Sequence, residues 1–230
     1  MRVQQILDQR PDLWRGQASR YSLPAGIPTG IQALDAQLVW GGWPAGSLSE
    51  ILSDRPGEGF ALTVPALARL SLDPRWLLLV EPPFQPFAPA LAAHGLCLGR
   101  LVVVTAGADR AWVAEQGLRS GACGAVLIWG GRWERGSLRR LQLAAETGGA
   151  LGILFREEVA ARSPSPAVLR LRIRPSPLGR ELTLLKQRGG RPGALLMLPL
   201  DSAGRRLDHC NASCVGPDEP GDPNDRLHQS

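Results

Sequence analysis

Apolar residues in this chain come in short runs at even spacing. Trp76–Val80, Leu101–Val104, residues 125–129 and residues 150–155 each have strand length, and their starts fall 24 or 25 residues apart. Helix-length segments lie between them at 87–94, Arg110–Arg119 and 137–147. In the last of these, Leu138, Leu141 and Ala145 share one face while Arg139, Arg140 and Glu146 lie off it, an amphipathic pattern. Short apolar strands alternating with helices predict a parallel sheet covered on both faces. From Val168 to Arg174 the pattern changes to period two, apolar on one side and arginine on the other. Segments 181–188 and 194–200 follow turn signals at 175–179 and 189–193, and predict an antiparallel meander closing the sheet. Upstream, residues 29–35 predict a helix with Thr29 as its N-cap. Residues 40–46 read as a tight loop, Ser47–Leu52 as a strand and 59–72 as a helix. Strand, Gly/Pro loop and helix in that order is where a nucleotide-binding domain seats phosphate.

Composition sharpens this picture. The chain has 230 residues, 44% hydrophobic and 20% charged, which is ordinary for a globular α/β protein and excludes wholesale disorder. No run of 18 apolar residues occurs and the first residues lack an apolar signal core, so a cytoplasmic protein is expected, with no membrane partner. Net charge is +5, and residues 201–230 hold six carboxylates against three arginines, so the basic surplus belongs to the rest. That last stretch is rich in Pro, Asp, Gly and Asn and predicts a flexible tail. The expected organisation is an N-terminal helical arm at 1–22, a core at 23–200 and a tail at 201–230. Cys97 and Cys123 border strands and read as small core residues. His209, Cys210 and Cys214 fall short of a closed metal set, so no metal is expected. Lys186 is the sole lysine, so any mechanism that needs lysine must use it.

The segment Pro28-Thr-Gly-Ile-Gln-Ala-Leu-Asp35, then Gly41-Gly-Trp-Pro-Ala-Gly46, then Glu50-Ile51, resembles the opening of the RecA-type ATPase core. More narrowly, residues 118–127, 138–145 and 185–190 resemble ImuA, a RecA-like accessory family of bacterial translesion DNA synthesis that is sometimes labelled SulA-like. The resemblance spans about residues 24–200. It implies an α/β RecA-type core, mainly parallel and finished by antiparallel strands.

The ATPase residues do not carry over. A P-loop needs G-x-x-x-x-G-K-[ST], in which backbone N–H groups, a lysine and a hydroxyl hold the phosphates and Mg²⁺. This chain supplies Ser53, Asp54, Arg55, Pro56, Gly57, Glu58, Gly59 and Phe60, with Gly59 at the lysine position and Phe60 at the hydroxyl position. Pro56 lacks an N–H, and the carboxylates of Asp54 and Glu58 are expected to repel phosphate. Trp129 stands where the Mg²⁺-linked Asp would be. The water-activating Glu would fall at Pro83, and Glu81 reaches that role only by a two-residue shift. No catalysis, no bound nucleotide and no cofactor are expected, although the helix start near Gly57 and Gly59 keeps a residual anion site open.

In RecA-type proteins two loops at the carboxyl ends of strands contact DNA, the edge at which open α/β sheets bind ligands. Here the first loop offers Arg132, Trp133 and Arg135, followed by Arg139 and Arg140; the second offers Arg156 beside Glu157 and Glu158. Arginine interleaved with tryptophan suits a single strand. Lys186 and Arg188 are further DNA candidates. In the arm, Ile6, Leu7, Leu13 and Trp14 are candidates for gripping a partner or a second copy in a homo-oligomer. The resemblance implies a non-catalytic accessory factor of SOS-induced translesion synthesis. Its expected partners are an ImuB-type polymerase subunit, an error-prone DNA polymerase, RecA, and single-stranded or damaged DNA. The alternatives are a SulA-like inhibitor of a cell-division protein and a cryptic DNA-dependent ATPase.

Overall fold

The computed structural model describes residues 26–198; the expected arm and tail, with Ile6, Leu7, Leu13, Trp14 and the His209–Cys214 group, lie outside them. A single eight-stranded sheet forms from β1 (Ser47–Leu52), β2 (Trp76–Val80), β3 (Leu101–Val104), β4 (Cys123–Ile128), β5 (Leu151–Arg156), β6 (Leu169–Ser176), β7 (Gly179–Gln187) and β8 (Leu195–Leu198). Their spatial order is β3-β2-β4-β5-β1-β6-β7-β8. The first six strands run parallel, and β7 and β8 complete the sheet antiparallel.

Helices α1 (Gln32–Asp35), α2 (Val64–Leu70) and α3 (Ala88–Ala93) contribute Leu34, Leu67 and Leu91 to one core, on the face that receives Ile51, Leu127 and Ile153. Helices α4 (Arg110–Arg119) and α5 (Arg135–Gly148) cover the other face, where Leu118, Leu138 and Leu141 meet Leu48, Val126 and Leu154. The interior strands are apolar on both faces because both faces are covered. Each fully buried leucine contributes roughly 1.5–3 kcal/mol.

Three local expectations change. Thr29 is not the N-cap of α1: Ile31 holds that position without a side-chain cap. Thr29 is buried, its hydroxyl accepting the Ile31 N–H at 3.1 Å while its own N–H donates to Asp35 Oδ1 at 2.9 Å. The expected helix at 59–72 is interrupted. A 3₁₀ turn at Phe60–Leu62 follows Gly59, whose φ of 89° is left-handed, and α2 starts only at Val64. Strand β6 is not simply the first strand of a meander. It pairs parallel with β1, and only its outer edge is antiparallel, to β7.

Candidate functional site

A cleft of about 1010 Å³ opens at the carboxyl ends of β1, β4 and β5. The loop after β1 forms one wall, residues 129–133 after β4 a second, and residues 156–163 after β5 a third. This is where an open α/β sheet places its ligand.

The floor is aromatic. Trp129 leaves the end of β4 and stacks on Phe155 of β5, with ring centroids 4.4 Å apart and planes 5° apart. Phe60 meets the same indole edge-on at 5.8 Å. Trp129 and Phe155 are buried and join the core shared with Ile51 and Ile173. Beneath the loop, Gly59 leaves no room for a side chain: a Cβ there would lie 2.6 Å from Ile51 Cγ2 and 2.9 Å from Ile173 Cδ1. The positions that hold lysine and hydroxyl in a P-loop are therefore built into the core.

The loop carboxylates are used internally. The Ser53 hydroxyl donates to Glu58 Oε2, and Arg180 Nε lies 2.7 Å from Glu58 Oε1 as an ion pair. Asp54 Oδ1 accepts the Glu158 N–H at 3.1 Å. The expectation that both carboxylates stand against an anion changes for Glu58 alone, because Asp54 stays a charged, exposed carboxylate in the cleft. Glu58 is neutralised from β7 and Asp54 ties down the opposite wall, while the exposed Arg55 guanidinium has no partner among the described residues.

The third wall is stapled to the sheet. Glu50 on β1 is fully buried and binds Arg170 Nε at 2.6 Å, Arg156 Nη1 at 3.1 Å and the Ser165 hydroxyl at 2.6 Å. Arg170 also donates to the carbonyls of Ser163 and Ala160, and Lys186 Nζ to that of Ser165 at 2.8 Å. Burial, then the charges of Arg188 and Arg170, push the Lys186 amine below its ordinary value. Glu158 is gripped by Arg174 and lies 3.7 Å from Arg172.

Glu81, just after β2, takes the left-handed conformation at φ 57°. Its carboxylate accepts the N–H groups of Gly107 and Ala106, which hold it below the usual carboxylate range. It fastens the segment after β3 at the cleft's edge. Burial raises the Cys123 thiol, against the Ser120 hydroxyl, which lowers it.

The candidate residues separate into two groups. Arg132 and Trp133 line the cleft, and the Trp133 Nε1–H donates to the Gly130 carbonyl at 2.7 Å, closing the loop. Arg135 and Arg139 follow on exposed positions of α5, one turn apart. Arg140 turns toward α4, bonding Glu115 and Ser137. Arg156 lines the cleft but is engaged by Glu50. Lys186 faces Arg170, level with Glu50 in the staple of the third wall, while Arg188 lies beyond it toward the opposite edge of the sheet, exposed and 3.9 Å from Glu146. Sequence reasoning missed Arg110, which lines the cleft beneath Gly130 and Gly131, and Phe84, whose ring covers Gly57. The signal for Phe84 was an aromatic set among the prolines at 82, 83 and 86. Among the described residues, no group of three His, Cys, Asp or Glu is placed to hold a metal, and no helix is long and apolar enough to cross a membrane.

Six parallel strands in this order, with the cleft after β1, define a RecA-type fold. The RadB recombinase superposes with a TM-score of 0.59 at 18% identity, covering 77% of this chain and 97% of RadB. SulA from Pseudomonas aeruginosa is 31% identical over 48% of this chain and 97% of its own, with a TM-score of 0.40. No protein-family model and no curated protein sequence matches the chain.

Proposed function

We infer that the chain is a non-catalytic RecA-like accessory factor of SOS-induced translesion DNA synthesis. It scaffolds an ImuB-type polymerase subunit and an error-prone DNA polymerase at single-stranded or damaged DNA. The observation that carries the non-catalytic part is the Phe60–Trp129–Phe155 stack, which occupies the floor where a working site needs a hydroxyl and an acid. The DNA part rests on Arg132, Arg135 and Arg139, which are exposed near Trp133 in one short segment of the chain. The translesion role rests on the ImuA-like residues 118–127, 138–145 and 185–190. The arm residues Ile6, Leu7, Leu13 and Trp14 are the proposed grip on RecA, a polymerase subunit or a second copy.

Co-purification of the full chain with the ImuB-type subunit and the polymerase, with and without single-stranded DNA, tests this reading. Retention of both, strengthened by DNA, is expected. Capture of a cell-division GTPase in their place supports the SulA-like alternative, and DNA-stimulated ATP hydrolysis overturns the non-catalytic reading.

A further inference from the structure

We propose that the emptied phosphate cleft is a second contact for single-stranded DNA, with Phe84 stacking a base and Arg55 and Arg132 holding the flanking phosphates. The proposal rests on the single-stranded DNA part of the function above and extends it from the arginine loop, through Arg132, into the cleft that this loop borders. Three observations carry it.

The first is charge. Of the carboxylates that line the cleft, Glu58 is paired with Arg180, Asp54 and Glu81 keep their charge while accepting the Glu158 N–H and the 106–107 amides, and Glu157 is exposed; Arg55, Arg110, Arg132 and Arg156 line the same cleft against them. Arg55 and Arg132 face the same cleft from opposite walls, both exposed and without an internal partner among the described residues. A guanidinium grips phosphate through paired donors.

The second is the ring. Phe84 is 67% exposed, an unusual cost for a phenylalanine, and its ring lies against Gly57, next to the cleft-lining Pro83. The Cβ that Gly57 lacks would lie 3.3 Å from two of its ring carbons. A fixed, exposed aromatic face beside free arginines is the stacking platform that single-stranded nucleic acid uses.

The third is the absence of what a peptide would use. Strands β1, β4 and β5, which end at the cleft, are each flanked on both sides. An extended peptide would find no strand edge to extend. The recognised chemistry is thus a nucleotide unit, a flat base with phosphate attached, and a DNA strand or a free nucleotide can supply it. The cleft volume of about 1010 Å³, with two exposed arginines in its lining, favours the strand.

Fluorescence anisotropy with labelled oligo-dT, on the full chain, tests this beside titration with ATP. Phe84→Ala is expected to weaken oligo-dT binding roughly fivefold to a hundredfold, and Phe84→Trp to keep it. Arg55→Ala is expected to lower the slope of log affinity against log salt by about 0.7. Unchanged melting temperatures would show that these exposed substitutions leave the fold intact. Wild-type binding by both Phe84→Ala and Arg55→Ala, with weakened binding in Arg135→Ala and Arg139→Ala, overturns the cleft contact and leaves the loop contact standing. No oligo-dT binding by the wild type overturns both. Binding of ATP, or of an acidic peptide, that depends on Phe84 and Arg55 while oligo-dT is unaffected overturns the assignment to DNA.

Discussion

Glu50 on β1 stands directly opposite Arg170 on β6, and their buried side chains form a 2.6 Å ion pair. This pair sits at the centre of the staple that fixes the third wall of the cleft. Arg170 reaches from it to the carbonyls of Ala160 and Ser163, and Arg156 and Ser165 share the same carboxylate. Removing one partner of a buried pair strands the other in low dielectric, at a cost of about 3–5 kcal/mol. Glu50→Ala is therefore expected to lower the melting temperature by on the order of ten degrees. A variant that melts like the wild type would show that the arginines find other partners.

The filled floor makes a second prediction. Restoring P-loop residues by Gly59→Lys with Phe60→Thr should not create an ATP site. A lysine at 59 must adopt φ 89° and push its Cβ into Ile51 and Ile173, and truncating Phe60 removes the edge-on packing against Trp129. Left-handed strain and overpacking together cost roughly 2–4 kcal/mol. Denaturant unfolding should show that drop in stability, and isothermal titration should show no ATP binding. Binding with unchanged stability would mean that the aromatic stack yields easily.

These two sites show unequally in the sequence. The sheet was legible because each interior strand is a short apolar run and the intervals between runs are regular. The sequence places Gly59, Phe60 and Trp129 at the phosphate and Mg²⁺ positions, and the structure packs them against Ile51, Phe155 and Ile173. The charge pattern was not legible. Asp54 and Glu58 read as repulsive from their positions, yet their partners, the Glu158 N–H and Arg180, lie more than one hundred residues away. Arg156 and Lys186 read as free cations for the same reason, although Arg156 is engaged by Glu50 and Lys186 by the Ser165 carbonyl in the loop that follows β5. Spacing along a chain does not reveal which charges are already satisfied across strands. Phe84 was passed over because a single exposed aromatic acquires meaning only once the ring is seen lying on Gly57.

A third prediction separates the two groups of basic residues. Arg135→Ala with Arg139→Ala should reduce single-stranded DNA affinity and lower the salt slope by about 0.7 for each phosphate that is no longer paired. Arg188→Ala, at the opposite edge of the sheet, should change neither. Equal weakening by both would mean that binding follows overall charge rather than this face.

The last prediction concerns pH. Hydrogen bonds from Arg174, and then the charges of Arg174 and Arg172, hold the Glu158 carboxyl below its ordinary 4.5, against a smaller opposing effect of burial. A folded value below the unfolded one means that the unfolded chain binds more protons in the window between them, so stability rises with pH through that window. The contribution is complete above about pH 4.5 and is lost as pH falls through the lowered folded value. Because the pair is close to solvent, its size is about 1 kcal/mol or less. Glu158→Gln should therefore be slightly less stable than the wild type at neutral pH, and the two should converge as the pH falls below the lowered folded value. Parallel urea titrations across that range measure the gap directly. A gap that persists unchanged into acid would assign the effect of the substitution to the packing of the 158–162 turn and not to the ion pair with Arg174.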